Sequence, residues 1–463
     1  MPRLITDKLL GYLLVATTAL VILSNWREET IFSWLAGILV VPVLLLLSFH
    51  VRWTRQIFVV VGLVLVGIAA FARSDWLQIV QTALGSAAFI AAFFTALATI
   101  RNASASSRAI ETCGHFLAQQ PPGRRYAALT VGGQLFGMLL NYGALVLLGS
   151  LAEANARLEP NAEIRGHRIR RMLLAIQRGF VSTLTWSPLA FAVAISTSVI
   201  PGATWAEAVG PCLVSAAILA LLGWGLDTIF KPRLSVPVPQ RARVVGTWFS
   251  LWPLIALLGI LVATIGGLHI ATKVSIVGVV MLIVPILSAV WIAIQNVSDR
   301  PLAVALNRTA SYISTDLPGY RSEIVLLMMA GFIGTLGARL LSPLMEASGI
   351  DLTAIPGWQI LIGIVWLIPL TGQLGMNPIL SVSLLAPLLP EAAAMGVTPA
   401  DIIVAVTAGW ALSGASSPYT ATTLIIGSIG KVSALHVGVR WNGTYTLLCG
   451  LVLSLWVAIV ALT

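Results

Sequence analysis

The chain has 463 residues, of which 58% are hydrophobic and 10% charged, with 27 Lys and Arg against 17 Asp and Glu and a net charge of +10. Such a composition excludes a soluble globular domain and points to a polytopic helical membrane protein, in which apolar stretches of about 20 residues cross the bilayer. The positive balance predicts no nucleic acid partner, because the basic residues recur in alternate loops between apolar stretches, where they act as cytoplasmic anchors.

The first apolar stretch, 9–23, is followed by no small-residue cleavage site, so it is expected to remain as a span. Spans are next expected over 31–48, 57–71 and 79–100. The mixed segment 101–123 reads as a helix lying along the cytoplasmic surface. Stretch 126–151 is apolar but has arginines on both sides, Arg124 and Arg125 before it and Arg157 and Arg165 after it. Both of its ends are therefore expected on one side, which makes it a re-entrant hairpin with its tip at Leu140, Asn141, Tyr142 and Gly143. Stretch 172–200 then crosses with an interruption at Thr185, Trp186, Ser187 and Pro188, and 210–230 crosses back. Asp227, at the end of that span, reads as a surface partner of Lys231. A Pro-rich basic linker, 231–243, follows.

The second half gives spans over 248–267 and 275–294, a polar cytoplasmic stretch 295–322, and a span over 324–344. Stretch 360–389 lies between Asp351 and Glu391 with no Arg nearby, which predicts a hairpin entering from the outside with its tip at 372–378. Stretch 402–429 crosses with an interruption at Ser416, Ser417 and Pro418, and 444–461 is the last span. Each half thus runs as three spans, a hairpin, a broken helix and a span, in opposite orientations. Gly133-Gln134-Leu135 precedes the first hairpin tip and Gly372-Gln373-Leu374 the second. The organisation expected is an N-terminal span, 1–30, a first inverted repeat, 31–243, and a second, 244–463, with about 11 transmembrane helices and the N-terminus in the cytoplasm. The protein is expected in the plasma or bacterial inner membrane. Inverted repeats with mid-membrane breaks are a transporter pattern.

Ser is a preferred N-cap and Pro fits the first helical position, so Ser187-Pro188 and Ser417-Pro418 each predict a second half-helix starting at membrane depth. Asn377-Pro378 repeats the arrangement at the second hairpin tip. Backbone freed in hydrocarbon is costly, and a break there is expected to face protein or a water-filled cavity. A half-helix presenting its positive end to such a cavity suits an anion. Asn141, Thr185, Ser187, Asn377, Ser416, Ser417 and Thr420 are the residues expected to bind substrate; the alternative use of the hydroxyls is to satisfy the freed backbone. Gln134 and Gln373 are candidates for either substrate contact or interhelical hydrogen bonds, and Trp186 for closing over a solute or for packing. Arg178, about two turns ahead of Thr185, is a candidate for pairing with an anion or gating, against the alternative of snorkelling to the interface.

In these residues the chain resembles the divalent anion/sodium symporters of the ion transporter superfamily, over nearly its full length in topology. GMNPILSVSLLAPLLP from Gly375 looks like that family's second hairpin tip, and GVTPADIIVAVTAGWALSGASSPYTATTLIIG from Gly396 like its broken helix. LLNYGALVLLGS from Leu139 and STLTWSP from Ser182 look like the first pair. Of the family's Ser-Asn-Thr tips only Asn141 and Asn377 are present, flanked by Leu140 and Tyr142 and by Met376 and Pro378. The resemblance implies an elevator motion and a homodimer in the bilayer.

The leading reading is a secondary active transporter of a small anionic solute, with no bound metal and no cofactor beyond coupling to Na+ or H+. Metalloid or drug efflux on the same fold is the alternative within transport. A membrane-embedded enzyme is the alternative outside it, and would need His, Asp or Cys at the breaks, where the sequence has none; the expectation is that the chain is not an enzyme.

Overall fold

The computed structural model describes residues 2–27, 29–105, 107–232, 234–235, 246–297, 300–349 and 351–463. Among them all regular structure is helical. The first four helices are α1 (Pro2–Arg27), α2 (Thr30–Ser48), α3 (Trp53–Ala72) and α4 (Trp76–Ala105). They are followed by α5 (Arg108–Ala118), α6 (Pro122–Leu140), α7 (Gly143–Arg157), α8 (Ala162–Thr183), α9 (Phe191–Val199) and α10 (Trp205–Ile229). After the linker come α11 (Trp252–Thr272), α12 (Ile276–Gln295), α13 (Pro301–Ser311) and α14 (Arg321–Ala347). The chain ends with α15 (Gly357–Gln373), α16 (Pro378–Leu385), α17 (Pro399–Ser416), α18 (Ala421–Gly430) and α19 (Gly443–Leu462).

Ten helical stretches among the described residues are long and apolar enough to cross a membrane, with α17 and α18 counted as one. The protein is an all-α polytopic membrane protein. The α8–α9 stretch is not among the ten, since Arg165, Arg168, Arg170, Arg171 and Arg178 lower the hydropathy of α8. Large apolar side chains such as Leu63, Val64 and Phe71 on α3 are exposed, as expected of a lipid-facing surface. Most of the Pro-rich linker, with Arg233, Arg241 and Arg243, lies outside the described residues.

The helices form two compact units, each drawing on both halves of the sequence. The first comprises 1–106, 261–352 and 379–390. Its centre is α4, whose Ala83, Ala87, Ala88, Ala91, Ala92 and Ala96 are buried and let neighbours approach closely. Hydroxyls tie the partners on: Thr335 Oγ1 lies 2.9 Å from Ser86 Oγ, and Thr99 Oγ1 3.1 Å from Ser288 Oγ. The polar stretch 295–322 is helical here, with α13 running into a π-helical turn, 312–316. Tyr312 from that turn donates to the Thr95 carbonyl at 2.8 Å.

The second unit comprises 107–260, 353–378 and 391–463. Helix α17 is buried at every position from Ala400 to Ser416. It starts with a capping box, in which Asp401 N–H donates to Thr398 Oγ1 at 3.3 Å and Thr398 N–H to Asp401 Oδ2 at 2.8 Å. The segment expected to be a surface helix is α5, amphipathic, with Ile110, Cys113, Phe116 and Leu117 buried. Helices α6 and α7 are joined by Asn141 and Tyr142, and Asn141 adopts a left-handed φ of 50°. A polar Asn tolerates positive φ better than most residues, which suits it to the tip. Asp227 corrects one expectation. It does not serve Lys231 at the surface but takes a bidentate pair from Arg171, at 2.8 and 2.7 Å.

Candidate functional site

The candidate site is built on the two interrupted helices of the second unit. Both Ser-Pro steps interrupt their helices, though not as N-caps. Upstream, α8 ends at Thr183 and α17 at Ser416; downstream, α9 begins at Phe191 after Ala190 and α18 at Ala421 after Thr420. The residue before a proline is driven out of the helical region, and Ser417 accordingly has φ −69° and ψ 128°. Proline then occupies the second position of a tight turn, closed by Ala190 N–H to Ser187 O at 2.9 Å and by Thr420 N–H to Ser417 O at 3.4 Å. Ser187 Oγ accepts from Leu189 N–H at 3.3 Å, and Ser417 Oγ from Tyr419 N–H at 3.2 Å. The steps therefore stop the incoming helix, and the outgoing one starts three residues later in both halves. Asn377-Pro378 behaves as the rule predicts: α16 begins at Pro378.

Each interrupted helix packs closely on one other helix, α8 on α6 and α17 on α15. Gly179 and Gly409 stand eight residues ahead of Ser187 and Ser417. A Cβ on Gly179 would fall on the Thr130 carbonyl oxygen, and one on Gly409 would meet Ile364 O and Val365 O at 3.0 and 3.1 Å. The two Gly-Gln pairs complete the contact. Gln134 Nε2 donates to Ser182 Oγ at 2.7 Å, and Gln373 Nε2 to Ser416 Oγ at 3.3 Å. Replacing either Gln by Leu is expected to lower stability by about 1 kcal/mol, read as a drop in Tm of purified protein. An unchanged Tm in both variants would show that these bonds do not hold the contact.

Around the first break lies a small cavity bordered by Asn141 from the tip, Thr183, Ser187, Ala190, Phe191 and Trp410, among others. Its volume is about 10 Å³, room for about one water. The N-terminal end of α9, at Ala190 and Phe191, opens on it. Thr185 is fully buried, with its hydroxyl directed at the carbonyls of Ser182 and Cys212 at 2.9 and 3.1 Å. Trp186 is half-buried, and its carbonyl accepts from Trp205 Nε1 at 2.8 Å.

The second break is a cluster of hydroxyls and carbonyls. Ser417 Oγ donates to Gly372 O at 2.7 Å and Ser416 Oγ to Leu412 O at 2.8 Å. Thr420 Oγ1 donates to Ser417 O at 2.9 Å and lies 2.9 Å from Thr422 Oγ1, while Thr423 Oγ1 donates to Ser417 O at 2.6 Å. Thr422 Oγ1 donates to Gly414 O. Ser413 Oγ is buried there with no hydrogen-bond partner among the described residues. Of the expected site residues, Asn141 and Ser187 border the cavity, whereas Gln373, Ser416, Ser417 and Thr420 gather at the second break.

The breaks are tied together. Gln177 Nε2 reaches the carbonyls of Gly414 and Ala415 at 3.5 and 3.4 Å, and Gln177 Oε1 accepts from Asn442 Nδ2 at 3.0 Å. Asn442 Oδ1 in turn accepts from Arg178 Nε at 3.0 Å. Arg178 is 5% exposed and does not snorkel. It also donates to Tyr126 OH at 3.1 Å and to the carbonyls of Gly223 and Trp441 at 3.4 Å, and its guanidinium lies 4.4 Å from the centre of the Tyr445 ring. None of the ion pairs among the described residues includes it. Sequence reasoning missed Trp410, Gln177 and Asn442. A mid-span Trp and the amide of Gln177 inside an apolar stretch were the available signals, but their partners are distant in sequence; Asn442, between two spans, gave none.

No family model matches the chain, and no curated protein matches it. Solved structures do. The YdaH transporter of Alcanivorax borkumensis, noted for its unusual topology, is 17% identical, with 88% of this chain and 99% of that one covered and a TM-score of 0.56. MtrF of Neisseria gonorrhoeae, from a class of antimetabolite efflux pumps, is 14% identical, with 89% and 95% covered and a TM-score of 0.58. The likeness is one of fold, and it is a fold that transporters use.

Proposed function

We propose that the chain is a secondary active transporter of a small anionic solute, with Asn141 and Ser187 at one break and Asn377, Ser416, Ser417 and Thr420 at the other contacting it. The observation that carries this reading is the matched pair of interruptions, buried in one unit, each ending in the same Ser-Pro turn and each bonded to a Gln of the helix packed on it. Helices broken at membrane depth are tolerated only where the freed groups are buried in protein or line a cavity, and transporters use such breaks to hold a solute or an ion. Anion preference is supported by the α9 N-terminal end on the cavity. Thr185 and Gln134 support the break rather than the solute in this reading, and Arg178 positions the second break.

The domain arrangement proposed is two inverted repeats, 31–243 and 244–463, with the N-terminus cytoplasmic. The hairpins and broken helices would carry the solute by an elevator motion in a homodimer, coupled to Na+ or H+. Efflux of a drug or metalloid is the second reading, favoured by the likeness to an efflux pump. Enzymatic activity is not part of either.

Proteoliposomes holding the purified protein test the assignment, after a thermal-shift screen of mono- and dicarboxylates, sulfate, arsenite and sodium has chosen the solute. Ser417→Leu and Asn377→Leu are expected to abolish its movement while the protein still elutes as a folded species. Normal transport by both would remove the site. Accumulation by inverted vesicles under a proton gradient would select efflux.

A further inference from the structure

At the mouth of the first hairpin, arginine outnumbers acid. Arg124 and Arg125 open α6, and Arg165, Arg168, Arg170 and Arg171 lie in the first turns of α8. The nearby acids are already engaged. Glu159 takes Arg168 at 2.8 Å, Asp227 takes Arg171, and Glu163 accepts from Ser235. Arg170 faces the Trp441 ring, and Arg165 reaches only the Glu159 carbonyl, at 3.3 Å.

Arg125, half-buried like Arg165, also reaches only a carbonyl. Its Nε donates to Gln120 O at 2.6 Å, and it has no ion pair among the described residues. Helices α6 and α8 run side by side in the same direction, with Thr130 at Gly179, Gln134 on Ser182 and Gly137 at Thr183. That register sets Arg125 level with the Arg-bearing turns of α8. Burial, and the positive fields of Arg168 and Arg171, push its guanidinium down to about 10. A half-buried cation facing like charges calls for an anion.

We infer that Arg125, with Arg168 and Arg171 behind it, holds a phosphate group, carried by an anionic membrane lipid. The guanidinium fork matches phosphate oxygens in pairs, and its Nη atoms are the ones not used on Gln120. A lipid source fits the position, because Val131, about two turns further along α6, and Val146, past the tip, are exposed apolar residues of the same hairpin, deeper than Arg125 as an acyl chain is deeper than its headgroup. The site is separate from the breaks, and its role would be to anchor the hairpin mouth to the arginine-rich side of the bilayer.

The test uses delipidated full-length protein in detergent, with Tm followed against phosphatidylglycerol, phosphatidylcholine and inorganic phosphate. Phosphatidylglycerol is expected to raise Tm and phosphatidylcholine to leave it unchanged. Arg125→Gln is expected to weaken the response about tenfold, whereas Arg124→Gln, which removes the same charge from an exposed neighbour, keeps it. Equal loss in both variants would reduce the effect to diffuse attraction and overturn the site. A response to inorganic phosphate as strong as to the lipid, again lost in Arg125→Gln, would keep the phosphate contact and overturn the lipid. Should Arg125→Gln fail to fold, Arg125→Lys decides: it keeps the charge without the fork, and an affinity equal to that of the unaltered protein would overturn the paired contact.

Discussion

Gly179→Val should leave little folded protein. The α6–α8 crossing brings the Gly179 backbone onto the Thr130 carbonyl, and any side chain there must drive the two helices apart. Ordinary overpacking costs about 1–3 kcal/mol, but here the obstacle is backbone rather than a side chain that can swing away, so the cost lies at or above the top of that range. Separation of the helices would also break the Gln134–Ser182 bond and open the cavity at Thr183. Gly166→Val and Gly210→Val are the controls, since a Cβ at either meets nothing within 4 Å. Size-exclusion profiles and Tm check the series. A Gly179→Val variant as stable as the controls would mean that the crossing is not close.

Arg178→Met is expected to destabilise the protein by about 3 kcal/mol. Four groups lose a donor: Asn442 Oδ1, Tyr126 OH and the carbonyls of Gly223 and Trp441. Each buried polar group left without a partner costs about 1–3 kcal/mol, and removal of a desolvated charge offsets part of the sum. Arg178→Lys keeps the charge, but one ammonium cannot serve partners spread around a planar fork, so it should recover only part of the loss. Asn442→Ala should couple to Arg178→Met, the double variant losing less than the two single changes together. The measurement is denaturant or thermal unfolding of all four proteins. Strict additivity would show that Asn442 and Arg178 act independently and that the link from Arg178 through Gln177 to the second break carries no energy.

The helical class and the turn at Asn141 were legible because apolar length and turn chemistry act locally. So were both interruptions, although a Pro alone does not mark one, since Pro42, Pro285 and the Ser342-Pro343 step lie inside unbroken helices. Their form was not. Ser-Pro reads equally as a helix start and a helix stop, and only the turn hydrogen bonds to Ser187 O and Ser417 O decide for the stop. Gly133-Gln134 and Gly372-Gln373 were visible as a repeat, yet their partners, Ser182 and Ser416, are more than 40 residues away, and nothing in the spacing names them. Arg178 stands out in the sequence by its charge, but a sequence shows a charge without showing its surroundings. Asp227 reads in sequence as a partner of the nearest cation in the chain, whereas the one it pairs with comes from another helix.

The cavity at the first break admits about one water, so no solute of several heavy atoms enters the conformation described. Any ligand that uses it has to wait for the turn at Ser187 to move away from Asn141 and Trp410. Association would then be paced by that opening rather than by encounter, reaching a plateau as ligand concentration rises.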